Sequence, residues 1–154
     1  MAQIQPANET NIAEIVSLVN DAFQVEANFR AGDRTSIEEV TQLMHDGQFL
    51  IAIHDHQVAG VVFVRVNDNT GHFAMLAVRP NLQRLGLGGA LIEAAEDYCR
   101  SRGCRRMTLS TSSVRPELLD RYGRLGYTIM SLAPASSVGP FTKPIEIVSM
   151  AKKI

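Results

Sequence analysis

Between Val78 and Leu91 the chain reads Val-Arg-Pro-Asn-Leu-Gln-Arg-Leu-Gly-Leu-Gly-Gly-Ala-Leu, with glycines at 86, 88 and 89. An apolar run typical of a strand leads into this turn, and a helical pattern leaves it. Such a junction is an anion site, because the first amides of a helix lack internal acceptors and the macrodipole places about half a positive charge there. Glycine removes the Cβ that would hold a phosphate away from the backbone. Each amide reaching a charged oxygen contributes ~1.5–3 kcal/mol, so several hold a pyrophosphate without any lysine. The same glycines also suit close packing of helix on sheet. A dinucleotide fingerprint fits less well, since Leu91 stands where the third glycine belongs and no acidic residue follows about 20 positions on. A Walker A loop would require Gly-Lys-Ser/Thr, which is missing from the segment.

Other side chains carry weaker signals. His72, Ala74, Leu76 and Val78 are expected to share one strand face by the period of two. If that face borders a channel, His72 is a candidate base, its ordinary pKa of about 6.5 suiting the task; a solvent-facing histidine at a strand end is the other reading. Tyr122 lies at helical spacing with Leu118 and Leu125, which by itself describes a half-buried core tyrosine. His54 and His56 flank Asp55 at a polar hairpin tip, where alternate side chains face solvent, so no metal site is expected. Cys99 and Cys104 are five apart without a CxxC spacing and read as free thiols.

The elements that must position these residues follow from periodicity. Ile12, Ile15, Val16, Val19 and Phe23 mark a first helix, with Asn11 and Glu14 as a cap pair. Ser36 and Glu39 cap a second, ending at Gly47, and residues 24–35 read as a loop. Strands are expected at Phe49–Ile53, Val58–Val64 and His72–Val78, the last stopped by Pro80. A helix carrying Leu91, Ala94, Ala95, Tyr98 and Cys99 ends before Gly103, and a short strand runs Arg106–Ser110. Pro116 opens a helix closed by Gly126, and Tyr127–Leu132 and Ile145–Met150 form a closing pair of strands, with a further strand at Gln3–Gln5. The order describes a mixed α/β sheet.

At 154 residues the expectation is one domain over 1–154. A composition 45% hydrophobic and 20% charged excludes a disordered chain. Fifteen Lys+Arg against sixteen Asp+Glu leave no basic field to recruit nucleic acid or an anionic membrane. The longest apolar stretch, Val58–Val64, is far short of the ~20 residues that span a bilayer, and Met1–Pro6 has no signal-peptide pattern. A cytoplasmic protein is expected.

Gln83-Arg84-Leu85-Gly86-Leu87-Gly88 is similar to the Q/R-x-x-G-x-G/A signature of the GNAT superfamily of acetyl-CoA-dependent N-acetyltransferases. A second segment, Leu119-Asp120-Arg121-Tyr122-Gly123-Arg124-Leu125-Gly126-Tyr127, resembles that family's "LYEKLGF" stretch, and the element order agrees over nearly the whole chain. The resemblance implies a GNAT-like single α/β domain whose central, mostly antiparallel mixed sheet is flanked by helices. It implies acetyl-CoA as co-substrate and no metal. Backbone amides of Arg84, Leu85, Gly86, Leu87, Gly88 and Gly89 would cradle the pyrophosphate, with Gln83 at the entrance. Leu76, Ala77 and Val78 would pair with pantetheine, one N–H polarising the thioester carbonyl, and Tyr122 would stand near the sulfur as acid. Arg79, Arg84 and Arg124 lie toward the expected 3′-phosphate. Relatives often carry a glutamate base where this chain has His72, and an asparagine where it has Arg115. The acceptor site would be built from Gln24–Thr35, which holds Glu26, Arg30, Asp33 and Arg34, and from Pro134–Pro144. The implied function is acetyl transfer to a primary amine of a small molecule, amino acid or peptide, directly within a ternary complex. Cys99, on the helix's apolar stripe, offers no acyl-enzyme. The alternative is a non-catalytic acyl-CoA-binding or regulatory domain of the same fold. Partners are then acetyl-CoA and an amine, without nucleic acid or membrane; dimers are common in the family and a homodimer stays open.

Overall fold

The computed structural model describes residues 3–135 and 140–154. Seven strands form one sheet: β1 Gln3–Pro6, β2 Gln48–His54, β3 Gln57–Asn67, β4 Thr70–Val78, β5 Arg106–Ser112, β6 Thr128–Pro134 and β7 Glu146–Lys153. Their spatial order is β1-β2-β3-β4-β5-β7-β6, antiparallel throughout except for the β4–β5 pair, which is parallel. Among the described residues four α-helices accompany the sheet: α1 Ile12–Ala22, α2 Ile37–Asp46, α3 Leu87–Arg100 and α4 Pro116–Arg124. Among the described residues no helix is long and apolar enough to cross a membrane.

The central strands are apolar on both faces because both are covered. Phe49, Ile51, Val61 and Phe63 meet Ile15, Leu18 and Val19 of α1 and Val40 of α2. Leu50, Ala52, Val62 and Val64 meet Leu91, Ile92, Ala95 and Cys99 of α3. Each such aliphatic side chain taken from water contributes ~1.5–3 kcal/mol. The β2–β3 hairpin turns on Asp55 and His56, both at positive φ as a two-residue type I′ turn requires.

Local details depart from the sequence expectations. Asn11 does not cap α1 with its side chain. Its Oδ1 instead accepts from the Asn8 amide, closing a capping box around a 3₁₀ turn at Glu9–Asn11. Helix α1 stops at Ala22, and Phe23–Glu26 forms another 3₁₀ turn. The Ser36 cap forms as expected, its Oγ accepting from the Glu39 amide at 3.1 Å.

Candidate active site

The site begins with a fault in β4. Val61 lies opposite Ala77 and Phe63 opposite Ala74, so one residue of β3 faces two of β4. Met75 takes up the surplus at φ +53°, a β-bulge. Alternation therefore breaks, and the expected common face of His72, Ala74, Leu76 and Val78 does not exist. Phe73, Leu76 and Val78 belong to the α3 side, whereas Ala74, Met75 and Ala77 belong to the α1 side. The parallel β4–β5 pairing also ends at His72–Thr108. Beyond that pair, the facing edges of β4 and β5 separate into a cleft.

A cavity of about 670 Å³ fills this cleft. Its walls are residues 73–78 of β4 and 109–112 of β5. One end reaches Gln83, Gly88 and Arg121; the other reaches Phe23, Glu26, Arg30, Arg34 and Arg115. The volume lies in the range of small-molecule sites.

At the first end, Gly86 sits at φ +76°, a left-handed conformation, and α3 begins without a side-chain cap. The first helical bond runs from the Ala90 amide to the Gly86 carbonyl at 3.1 Å, so the amides of Leu87, Gly88 and Gly89 precede the ladder as free donors. A Cβ on Gly88 would collide with the guanidinium of Arg121, which lies over this helix end. Orphan amides, an absent Cβ and a cation are the features that an anion site at a helix start needs.

The expected cofactor residues divide on inspection. Leu76, Ala77, Val78, Gln83, Gly88 and Tyr122 line the cavity. The Leu85 amide is engaged by the Leu82 carbonyl at 3.4 Å, and its side chain is exposed. The Leu87 side chain is buried in the core, leaving only its backbone for a ligand. Gln83 Nε2 donates to the Val78 carbonyl at 3.2 Å, tying the turn to the strand end. Arg79 is diverted too, its Nε donating to the Val58 carbonyl at 2.7 Å. Arg84 is exposed outside the lining, whereas Arg124 borders the cavity and pairs with Asp120.

Tyr122 projects from α4 into the middle of the cleft, only 6% exposed. Its ring meets Phe73 and Tyr127 edge-on, with centroids 6.0 and 6.3 Å away. Burial pushes its phenol above the usual range, although Arg121 and Arg115 oppose this, so the group stays protonated at neutral pH. The neighbouring Tyr127 is different, because its hydroxyl donates to Glu96 Oε2 at 2.7 Å. Lys152 completes that buried anchor at 3.1 Å. Tyr127 therefore fixes the α4 end, and Tyr122 is the tyrosine that faces the cavity.

His72 is not brought to this cavity. It sits where the β4–β5 pairing ends, its Nδ1 2.8 Å from Thr108 Oγ1, and that hydroxyl donates to the Gly71 carbonyl at 3.2 Å. The imidazole thus donates from Nδ1. Burial, then the charge of Arg65, holds its pKa below the ordinary value. His72 stands on β4 one residue before the stretch that walls the cavity.

At the far end Glu26, 4% exposed, is clasped by Arg30 Nε at 2.9 Å and Arg115 Nη1 at 2.8 Å. Arg115 also donates from Nε to Glu117 at 2.6 Å. The Arg115 that replaces the family's asparagine thus spans two carboxylates. The loop above is stitched across the cleft, with Ala31 donating to Pro140 at 2.8 Å and Thr142 to Phe29 at 2.9 Å. Residues 136–139 of the expected acceptor loop Pro134–Pro144 lie outside the described residues. Sequence reasoning missed Arg121, whose signal was its place three after Leu118 on the same helical face.

A family model described as "Acetyltransferase (GNAT) family" matches residues 12–127. A rice protein (Oryza sativa subsp. japonica) named Acetyl transferase GW6a is 38% identical over 66 residues, 42% of this chain. The match spans 15% of that relative's length. The fold is shared with the ribosomal-protein-S18-alanine N-acetyltransferase from Escherichia coli at TM-score 0.80 and 19% identity, covering 100% of this chain and 94% of the other. It is also shared with Ard1 from Thermoplasma volcanium at TM-score 0.83 and 15% identity, covering 99% and 97%.

Proposed function

Because the chain belongs to the acetyltransferase (GNAT) family, we propose that it moves the acetyl group of acetyl-CoA directly to the primary amine of a small acceptor. The observation that carries this reading is a single cavity joining the uncapped start of α3 to a charged acceptor end, with Tyr122 between them. In this reading the free amides of Leu87, Gly88 and Gly89, with Arg121, hold the pyrophosphate. The separated edge of β4 accepts pantetheine as an added strand. The amine nitrogen attacks the thioester carbonyl carbon, the C–S bond breaks, the Tyr122 phenol gives its proton to the departing thiolate, and the proton that the new amide nitrogen releases to solvent is matched by one that restores the phenol.

Direct transfer is supported by the thiols. Cys99 and Cys104 are free but buried, neither lines the cavity, and burial pushes the Cys99 thiol up to about 12. A thiol so protonated is a poor nucleophile. The amine's own proton, costing about 4–5 kcal/mol to remove at pH 7, passes to solvent in this proposal. Glu26 is already twice paired, and Glu117, held below the usual carboxylate range by Arg115 despite some burial, is a weak base.

Release of free CoA from acetyl-CoA across a panel of amines tests the reading. Transfer to at least one amine, with the acetylated product identified by mass, supports it. Acetyl-CoA that binds yet is never turned over returns the chain to the binding-domain alternative.

A further inference from the structure

Arg34 is a polar group at the far end of the cavity whose chemistry is unspent. Its Nε is buried and has no hydrogen-bond partner among the described residues. Its nearest carboxylate, Glu39, lies 4.0 Å from Nη1, and the facing Oε1 already takes the Thr35 hydroxyl at 2.6 Å. The guanidinium packs over the Phe23 ring at 5.2 Å, which holds its plane without neutralising its charge. Buried donors are nearly always paired, so this orphan marks a guanidinium that the protein does not fully engage.

The charges around it point the same way. Arg30, Arg34 and Arg115 line this end of the cavity against Glu26 and Glu117. Glu26 is shared by Arg30 and Arg115, and Glu117 bonds Arg115; Glu26 acts on Arg34 only through its field, and neither carboxylate pairs with it directly. Glu39 and Asp33 lie on the same segment but do not line the cavity; Asp33 is exposed and borders a separate small hollow behind Arg34. Arg34, which lines both the cavity and that hollow, therefore brings to the cavity wall a positive charge with no hydrogen-bonded carboxylate, and its side chain keeps 22% of its surface exposed. The roof across it, Arg30 bridged to Phe141, confines that end of the cavity.

Resting on the acetyl-transfer reading, we propose that the acceptor is a small amine bearing its own oxyanion, a carboxylate or phosphonate, which Arg34 binds. A guanidinium meets either group with paired, charge-assisted bonds.

The test is kcat/KM at pH 7 for matched acceptors: free α- and ω-amino acids, their carboxamides, and aminoalkylphosphonates. The carboxamide stands for a chain that continues, as a peptide does. Oxyanion-bearing amines are expected to exceed their amides by about 10- to 100-fold, the worth of a charged hydrogen bond. The carboxylate and phosphonate arms decide which oxyanion is preferred. Arg34→Gln should collapse the acid-to-amide ratio toward one through KM, and Arg34→Lys should restore part of it. An acetyl-CoA-induced rise in Tm certifies that each variant is folded and loaded. Equal rates for acids and amides overturn the proposal, as does a ratio that survives Arg34→Gln. Transfer to no acid while acetyl-CoA still raises Tm also overturns it. Loss of the wild-type acetyl-CoA shift overturns the acetyl-transfer reading instead.

Discussion

Replacing Gly88 with valine separates folding from cofactor binding. A Cβ at this position meets only the far end of Arg121, an exposed and flexible side chain that can swing aside. The backbone φ of Gly88 is not left-handed, so a side chain there carries no conformational penalty. Valine has somewhat better helix propensity than glycine, and the ligand-free stability should stay within about 1 kcal/mol of wild type. The added bulk, however, stands among the free amides at the start of α3 that are read as meeting an anion, and it pushes Arg121 aside. Loss of two such bonds at ~1.5 kcal/mol each weakens binding by roughly 100-fold. At acetyl-CoA equal to 100 times the wild-type Kd, the wild type gains about 2.7 kcal/mol and the variant only about 0.4. For a domain of this size the difference lowers the ligand-induced shift by roughly 5–9 °C. Thermal unfolding monitored with and without acetyl-CoA measures it. Gly88→Ala serves as the graded control, since its single methyl displaces Arg121 without filling the cradle. A full wild-type shift in the valine variant would refute the assignment of pyrophosphate to the start of α3.

Tyr122→Phe should lower kcat by about 10²–10⁴-fold while leaving the acetyl-CoA shift intact, because general acid catalysis is lost but the aromatic packing on Phe73 stays; an unchanged kcat with chemistry rate-limiting would make Tyr122 a packing residue. Stability should fall with pH through His72: the unfolded chain takes up the proton at about 6.5, the folded protein only at lower pH, so the loss sets in below about 6.5 and is absent above it. His72→Asn, which keeps a donor for Thr108, should flatten that part of the Tm–pH curve, and parallel curves would contradict the neutral-imidazole assignment.

The layered α/β architecture was legible because its signals are local. The two-sided apolar runs of β2 and β3, the Ser36 cap and the glycine turn at 86 each depend on residues a few positions apart. At the expected acceptor end the resemblance pointed to the segment that holds Glu26, Arg30 and Arg34, but the ion pairs that organise it were not legible, for the opposite reason. Glu26 and Arg115 are 89 positions apart and meet only because the β4–β5 crossover brings the start of α4 beneath the turn that follows α1. Arg115 read as a departure from a family pattern, yet in the fold it organises two carboxylates. Likewise Tyr122 and Tyr127 stand five apart in one motif, and only Glu96, 31 positions away from Tyr127, tells the anchoring tyrosine from the one facing the cavity.

The misplacement of His72 has its origin in the bulge of β4. A regular β4 would have kept His72, Ala74, Leu76 and Val78 on one face. The extra residue at Met75 prevents this. Leu76 and Val78 belong to the α3 side, and His72 stays at the last rung paired with β5, three residues before the bulge. A non-glycine residue at φ +53° costs of order 1–3 kcal/mol. The packing around Met75 sustains that strain, and the bulge that breaks the sequence pattern lies in the stretch of β4 that walls the cavity.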